Sequence, residues 1–113
     1  MPARPNLLNT PPYEIEQVIK ILGANLRTAR LRRGLSLEDV AEKAGVGRHA
    51  VACAERGKPT TSIAVYTALL WVLGLTPQLA EVANPDHDDE GKTLARAREG
   101  VRARQPKGLS DDF

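Results

Sequence analysis

The segment RHAVACAE, Arg48 to Glu55, gathers an arginine, a histidine and a cysteine among alanines. At helical spacing Arg48, His49, Ala52 and Cys53 share an outer face, and Val51 is the one sizeable residue turned inward. A helix whose outer side is small, polar and basic fits the major groove, which is about a helix wide. The guanidinium fork of Arg48 would match guanine O6 and N7. Cys53 would suit a thymine methyl. His49 could meet a base edge or a phosphate. The plain alternatives are that Arg48 and His49 are solvated and Cys53 is inert packing. No sequence feature establishes a reactive thiolate at Cys53.

Such a face is useful only if neighbouring elements prop it at the surface. The stretch LSLEDVAEKAGVGRHAVACAERG (35–57) supplies them. Ser36-x-x-Asp39 is a capping box with Asp in place of Glu, and Leu35 and Val40 stand at the positions of a hydrophobic staple. A short helix over Leu37–Ala44 turns Leu37, Val40, Ala41 and Ala44 inward. Gly45 permits a left-handed turn, Val46 plugs the angle, and Gly57 stops the helix that begins at Arg48. Two short helices joined this way make a helix-turn-helix.

The flanking segments read as further helices. Thr10 is a plausible cap before Pro11 and Pro12. Ile15, Val18, Ile19, Leu22, Leu26, Ala29 and Leu31 then follow mostly three-and-four spacing. Gly23 marks a break or a fresh start, and Arg32-Arg33-Gly34 an end. Thr61 or Ser62 caps a helix over Ile63–Leu73, in which Trp71 is core or dimer interface. Thr76 caps a short one over Pro77–Val82. Asn84-Pro85-Asp86 breaks the pattern, and Lys92 to Gln105 forms a marginal helix that is stable only when docked. There is no strand-like alternation and no internal repeat.

The chain has 113 residues, with 42% hydrophobic, 27% charged and only 4% aromatic. This suits one small domain with an aliphatic core and extra tails. Glu16 to Leu75 carries nine basic and five acidic residues, net +4. Thr76 to Gly91 carries five acidic residues and no Lys or Arg, and Lys92 to Phe113 is net +3. A basic body suits a polyanion, and the acidic stretch marks a boundary. The single cysteine excludes an intramolecular disulfide and leaves no ligand cluster for a structural zinc. Neither metal nor cofactor is expected. His49 and His87 are isolated, and no nucleophile elbow or phosphate-cradling glycine loop is present, so the chain reads as a non-enzyme. MPARPNLLNTPPY lacks an apolar run of signal-peptide length and no stretch has membrane-spanning length, so a cytoplasmic location is expected. RNA binding fits poorly without an aromatic stacking platform.

Arg27 to Leu75 resembles the DNA-binding domain of the lambda-repressor/Cro-like (XRE) family. The motifs are LRTARLRRGLSLEDVAEKAGV, a second helix ending in E-R-G-K-P, and an apolar helix closing with LGL. The resemblance implies base contacts from Gly47, Arg48, His49 and Cys53. It implies phosphate contacts from Arg30, Ser36, Leu37, Arg56 and Lys58, and a pairing of Glu55 with a basic group on the first helix. Gly47 stands where the family usually has Ser or Thr, and Leu37 where it often has Gln, which removes two hydrogen-bonding side chains. The layout of this domain, an acidic linker, a basic segment and a terminal Asp-Asp-Phe is similar to that of HipB-type antitoxins. These are encoded beside HipA-type kinase toxins.

The expected architecture is therefore all-α, a five-helix lambda-repressor-like domain over residues 15–83. A flexible arm is expected over 1–14 and a C-terminal arm over 84–113. The expected function is a sequence-specific transcriptional repressor that binds a pseudo-palindromic operator as a homodimer. With a HipA-like kinase as partner it would be an antitoxin and autorepressor, with Arg96, Arg98, Arg102, Arg104 and Phe113 facing the toxin. Without one it would be a stand-alone XRE regulator or a restriction-modification controller.

Overall fold

A computed structural model describes residues 9–103, and among them every regular element is helical. The chain divides into two compact units, one ending at Leu79 and the other starting at Ala80. The expectations for the arm before residue 9, and for Arg104 and Phe113, lie outside the described residues.

In the first unit, α1 spans Tyr13–Arg32, with Glu14 and Glu16 in its first turn and Arg30 and Arg32 in its last. That charge order complements the helix dipole. Its N-cap is Pro12, which makes no side-chain cap, so the expected Thr10 N-cap is corrected: Thr10 stands two residues before the N-cap. Proline suits this edge because its fixed φ leads into a helix and its missing N–H would be unpaired there anyway.

The helix does not break at Gly23. A Cβ at Gly23 would stand 2.6 Å from the carbonyl oxygens of both Ala54 and Glu55. One at Gly57 would stand 2.6 Å from the Lys20 Cα. These glycines serve close backbone approach rather than chain breaking, and they let the end of the third helix lie directly on α1.

α2 (Leu37–Ala44) begins with the full capping box. The Asp39 N–H donates to the Ser36 hydroxyl at 3.0 Å, and the Ser36 N–H donates to the Asp39 carboxylate at 2.9 Å. That backbone donor, and then the Ser36 side chain, holds the Asp39 carboxyl below the usual carboxylate range. Gly45 closes the helix in a left-handed conformation, φ 73°. α3 (Arg48–Glu55), α4 (Ile63–Leu73) and α5 (Thr76–Ala80) follow. α4 is capped by Ser62, whose hydroxyl accepts from the Val65 N–H. α5 includes Thr76 and ends two residues earlier than the sequence pattern implied, before Ala83 turns into positive φ.

The core comprises Leu26, Val40, Ala41, Val51, Ala54, Tyr66, Leu69, Leu70 and Leu73. Leu35, Val46 and Leu79 pack against it. Val51 and Ala54 are fully buried. Tyr66 joins the core, whereas Trp71, Val18 and Leu31 stand at the surface.

In the second unit, a 3₁₀ turn over Pro85–His87 leads into α6 (Asp89–Ala103). Asp88 starts α6 by accepting the Gly91 N–H at 2.9 Å, and Lys92 Nζ donates to the Asp86 carbonyl at 2.7 Å. The helix therefore starts earlier than the apolar pattern suggested, because an acidic cap decides its beginning. No helix of the described residues is long and apolar enough to cross a membrane.

Candidate nucleic-acid interface

α3 is seated on α1, α2 and α4 through a small footprint. Val51 and Ala54 fill the space beneath it, and Gly23 lets its last carbonyls approach α1. Arg48 and His49 face solvent, while Ala50, Ala52 and Cys53 are half-buried. The second helix of the motif is thus held at the surface by a valine and an alanine.

Arg30 is buried, at 7% exposure. Its Nε donates to Glu55 Oε2 at 2.7 Å and its Nη2 to Glu55 Oε1 at 2.9 Å. Its Nη1 donates to the Leu35 carbonyl at 2.9 Å. Phosphate contact by Arg30 is corrected on this geometry, since its fork is spent inside the protein. The hydrogen bonds to Glu55 hold its pKa above the ordinary value against the opposing effect of burial. The pair ties the C-terminal end of α1 to the last residue of α3. This is the role the resemblance implied for Glu55.

The guanidinium of Arg48 is parked on Glu38 of α2, Nε to Oε2 2.7 Å. Both side chains are more than half exposed. An exposed ion pair contributes about 0–1 kcal/mol, whereas a bidentate guanine contact discriminates by about 1–3 kcal/mol. The arginine can therefore leave its acid for a base. Glu38 was not among the site residues read from the sequence, because a pairing between separate helices leaves no local pattern.

His49 Nε2 lies 3.4 Å from Cys53 Sγ, and Arg56 Nη2 donates to the same sulfur at 3.7 Å. Gly47 is the N-cap of α3 without a side-chain cap. A Cβ there would meet nothing within 4 Å, so the backbone would accept the Ser or Thr that the family usually carries. Ser36 is exposed, and its hydroxyl is committed to Asp39 in the capping box. Leu37 packs partly against the core, so what it can offer an anion is the first-turn backbone N–H of α2. Arg56 and Lys58 are exposed cations. Lys58 shares an open cavity of about 290 Å³ with His49, Cys53, Thr61, Ser62 and Val65.

On α6, Arg96 and Arg98 are exposed, and Arg102 falls within the helix. Among the described residues no group of three or more His, Cys, Asp or Glu is arranged to hold a metal ion.

A family model described as a helix-turn-helix domain matches residues 21–83, more than half of the chain. The comparisons find no match among the curated proteins or the solved structures. The matched region contains the capping box, the left-handed turn and the surface-held α3. The chain belongs to the helix-turn-helix domain family, of the XRE/Cro-like type that binds DNA.

Proposed function

We propose that this protein is a sequence-specific transcriptional repressor that reads DNA with α3. The observation that carries the reading is the seating of that helix: Val51 and Ala54 buried beneath it, Arg48 and His49 outward, and no large apolar residue on its outer face. Arg48 would exchange Glu38 for guanine, with Gly47, His49 and Cys53 beside it. Ser36, the Leu37 N–H, Arg56 and Lys58 would fix the helix against phosphates. One short helix buries too little surface for tight specific binding. A two-fold homodimer is therefore proposed, on a pseudo-palindromic operator with half-site centres about 34 Å apart. Trp71, 68% exposed on α4, supports an apolar contact between copies. Such a repressor acts in the cytoplasm and needs neither cofactor nor metal.

The test is selection of bound duplexes from a random pool, followed by Arg48→Ala. Recovered sites should be two-fold symmetric. The substitution should cost about 1–3 kcal/mol and relax preference at one base pair per half-site. Equal losses on operator and random DNA would contradict the assignment.

A second reading, the antitoxin of a HipA-like kinase, is favoured by α6. It is an exposed helix carrying Arg96 and Arg98 beside Leu94 and Val101, each apolar residue 58% exposed. Truncation after Ala83 should then abolish capture of a neighbouring-gene kinase while DNA binding survives. No capture even by the full chain would leave the stand-alone regulator or controller reading, and capture that survives truncation would place the partner contact outside α6.

A further inference from the structure

The acid that holds Arg48 is placed to do more than hold it. Glu38 stands in the first turn of α2, outside the capping box of Ser36 and Asp39. Its Oε2 lies 2.7 Å from Arg48 Nε at the start of α3, and its side chain is 66% exposed. The carboxylate therefore already reaches the place from which Arg48 would probe a base. Gly47, just before Arg48, has no side chain, and even a Cβ there would meet nothing within 4 Å, so the start of α3 is open on that side. When Arg48 turns to guanine, the carboxylate loses its cation in the presence of phosphates that repel it. An ionised carboxylate only accepts hydrogen bonds. In the major groove guanine and thymine present acceptors, and adenine sets its amino group beside the N7 acceptor. Cytosine presents its N4 amino group with no acceptor of its own next to it.

We propose that Glu38 is a second specificity-determining residue, whose carboxylate accepts from the N4 amino group of a cytosine in the base pair next to the guanine that Arg48 reads. This rests on the DNA-reading role proposed above. The ion pair opens as a unit. Arg48 exchanges a carboxylate for guanine O6 and N7, and Glu38 exchanges a guanidinium for an amino group. The arginine fork fills the groove edge of its own base pair, which puts the carboxylate on the neighbouring pair. Both charges then have a partner before binding and after it, and neither is left bare at the protein–DNA contact. A guanine or thymine in place of that cytosine sets an acceptor against the acid, so discrimination comes from repulsion as well as from attraction.

The test repeats the selection of bound duplexes with the full chain carrying Glu38→Gln or Glu38→Ala, beside the native protein and Arg48→Ala. Native sites should carry a cytosine next to the guanine whose preference Arg48→Ala relaxes. Glu38→Gln should turn that cytosine preference toward adenine, since an amide donates to N7 and accepts from N6. Glu38→Ala should erase it, with a loss of about five- to tenfold on the native operator, the lower range for one mismatched base pair. Random duplexes should bind neither variant more weakly than the native protein, because one negative charge fewer faces their phosphates. A cytosine preference that persists in Glu38→Ala overturns the proposal. So does an equal weakening on operator and random duplexes, which would make Glu38 a prop of α3 alone. Loss of the guanine preference instead of the cytosine preference also overturns it, since Glu38 would then act only through Arg48. If the native protein selects no common site, the DNA-reading role fails by itself and takes the reading of cytosine with it. If the native protein selects a site that Arg48→Ala relaxes and both Glu38 variants leave intact, only the role of Glu38 fails.

Discussion

Replacing Glu55 by alanine tests what holds α3 in place. The Arg30 and Glu55 side chains are only 9% and 8% exposed and are joined by two bonds of 2.7 and 2.9 Å. Removing the carboxylate strands a guanidinium whose one remaining partner is the Leu35 carbonyl. Loss of one member of a buried pair costs about 3–5 kcal/mol. A compact unit of this size has a total stability on the order of 4–10 kcal/mol. Glu55→Ala should therefore lie near the edge of folding, with a much lower midpoint in urea followed by circular dichroism. Arg30→Met should lose a comparable amount, because it leaves the carboxylate alone. The double variant Arg30→Met/Glu55→Leu should recover most of the loss, since neither charge is stranded and both sites become apolar. The refuting result is specific. If Arg30→Met keeps its urea midpoint and instead flattens the salt dependence of DNA binding, Arg30 is a phosphate ligand and the buried-pair argument is wrong.

Three further predictions concern separate features. Gly23→Ala places a methyl 2.6 Å from two carbonyl oxygens, and an overpacking cost of about 1–3 kcal/mol should outweigh the helix gain of about 0.5–1 kcal/mol; a more stable variant by denaturation would show that the approach is looser. Asp39 has a lowered folded pKa, so its capping contribution is present in full above the ordinary carboxylate range and is lost as pH falls through the lowered value. Asp39→Asn should therefore show less acid-dependent loss of stability in that window, and equal acid slopes for the two proteins would count against the cap. For the proposed dimer, Trp71→Glu should shift sedimentation to monomer without unfolding the chain, because the indole is 68% exposed and outside the core; an unchanged dimer would move the interface elsewhere, and a monomeric native protein would remove the dimer proposal.

The helix-turn-helix was legible because each of its signals is local. Ser36 and Asp39 lie three apart, Gly45 sits at the turn, and Val51 is the lone large residue on an alanine-rich helix; all three readings match the structure. What could not be read was set by contacts between distant segments. Gly23 looks like a helix breaker in one dimension, and only the arrival of Ala54 and Glu55 shows that it is a contact point. Arg30 looks like a free cation until Glu55 closes on it. The same limit hid Glu38 beside Arg48. Trp71 has the apolarity of a core residue, yet its position on α4 faces away from the packed side.

The main-chain seat of α3 has an evolutionary corollary. Its tilt is set by carbonyl oxygens on a glycine, a buried valine and alanine, and one ion pair at its end. None of these lies at positions 48, 49, 52 or 53. On the proposed reading of bases by α3, those four sites can be rewritten while the angle of presentation stays constant, so a lineage built on this scaffold would drift to new operators by single substitutions. The converse holds as well. On that reading, a change at Gly23 or Glu55 would alter the recognition of every sequence at once, because both set the seat of α3.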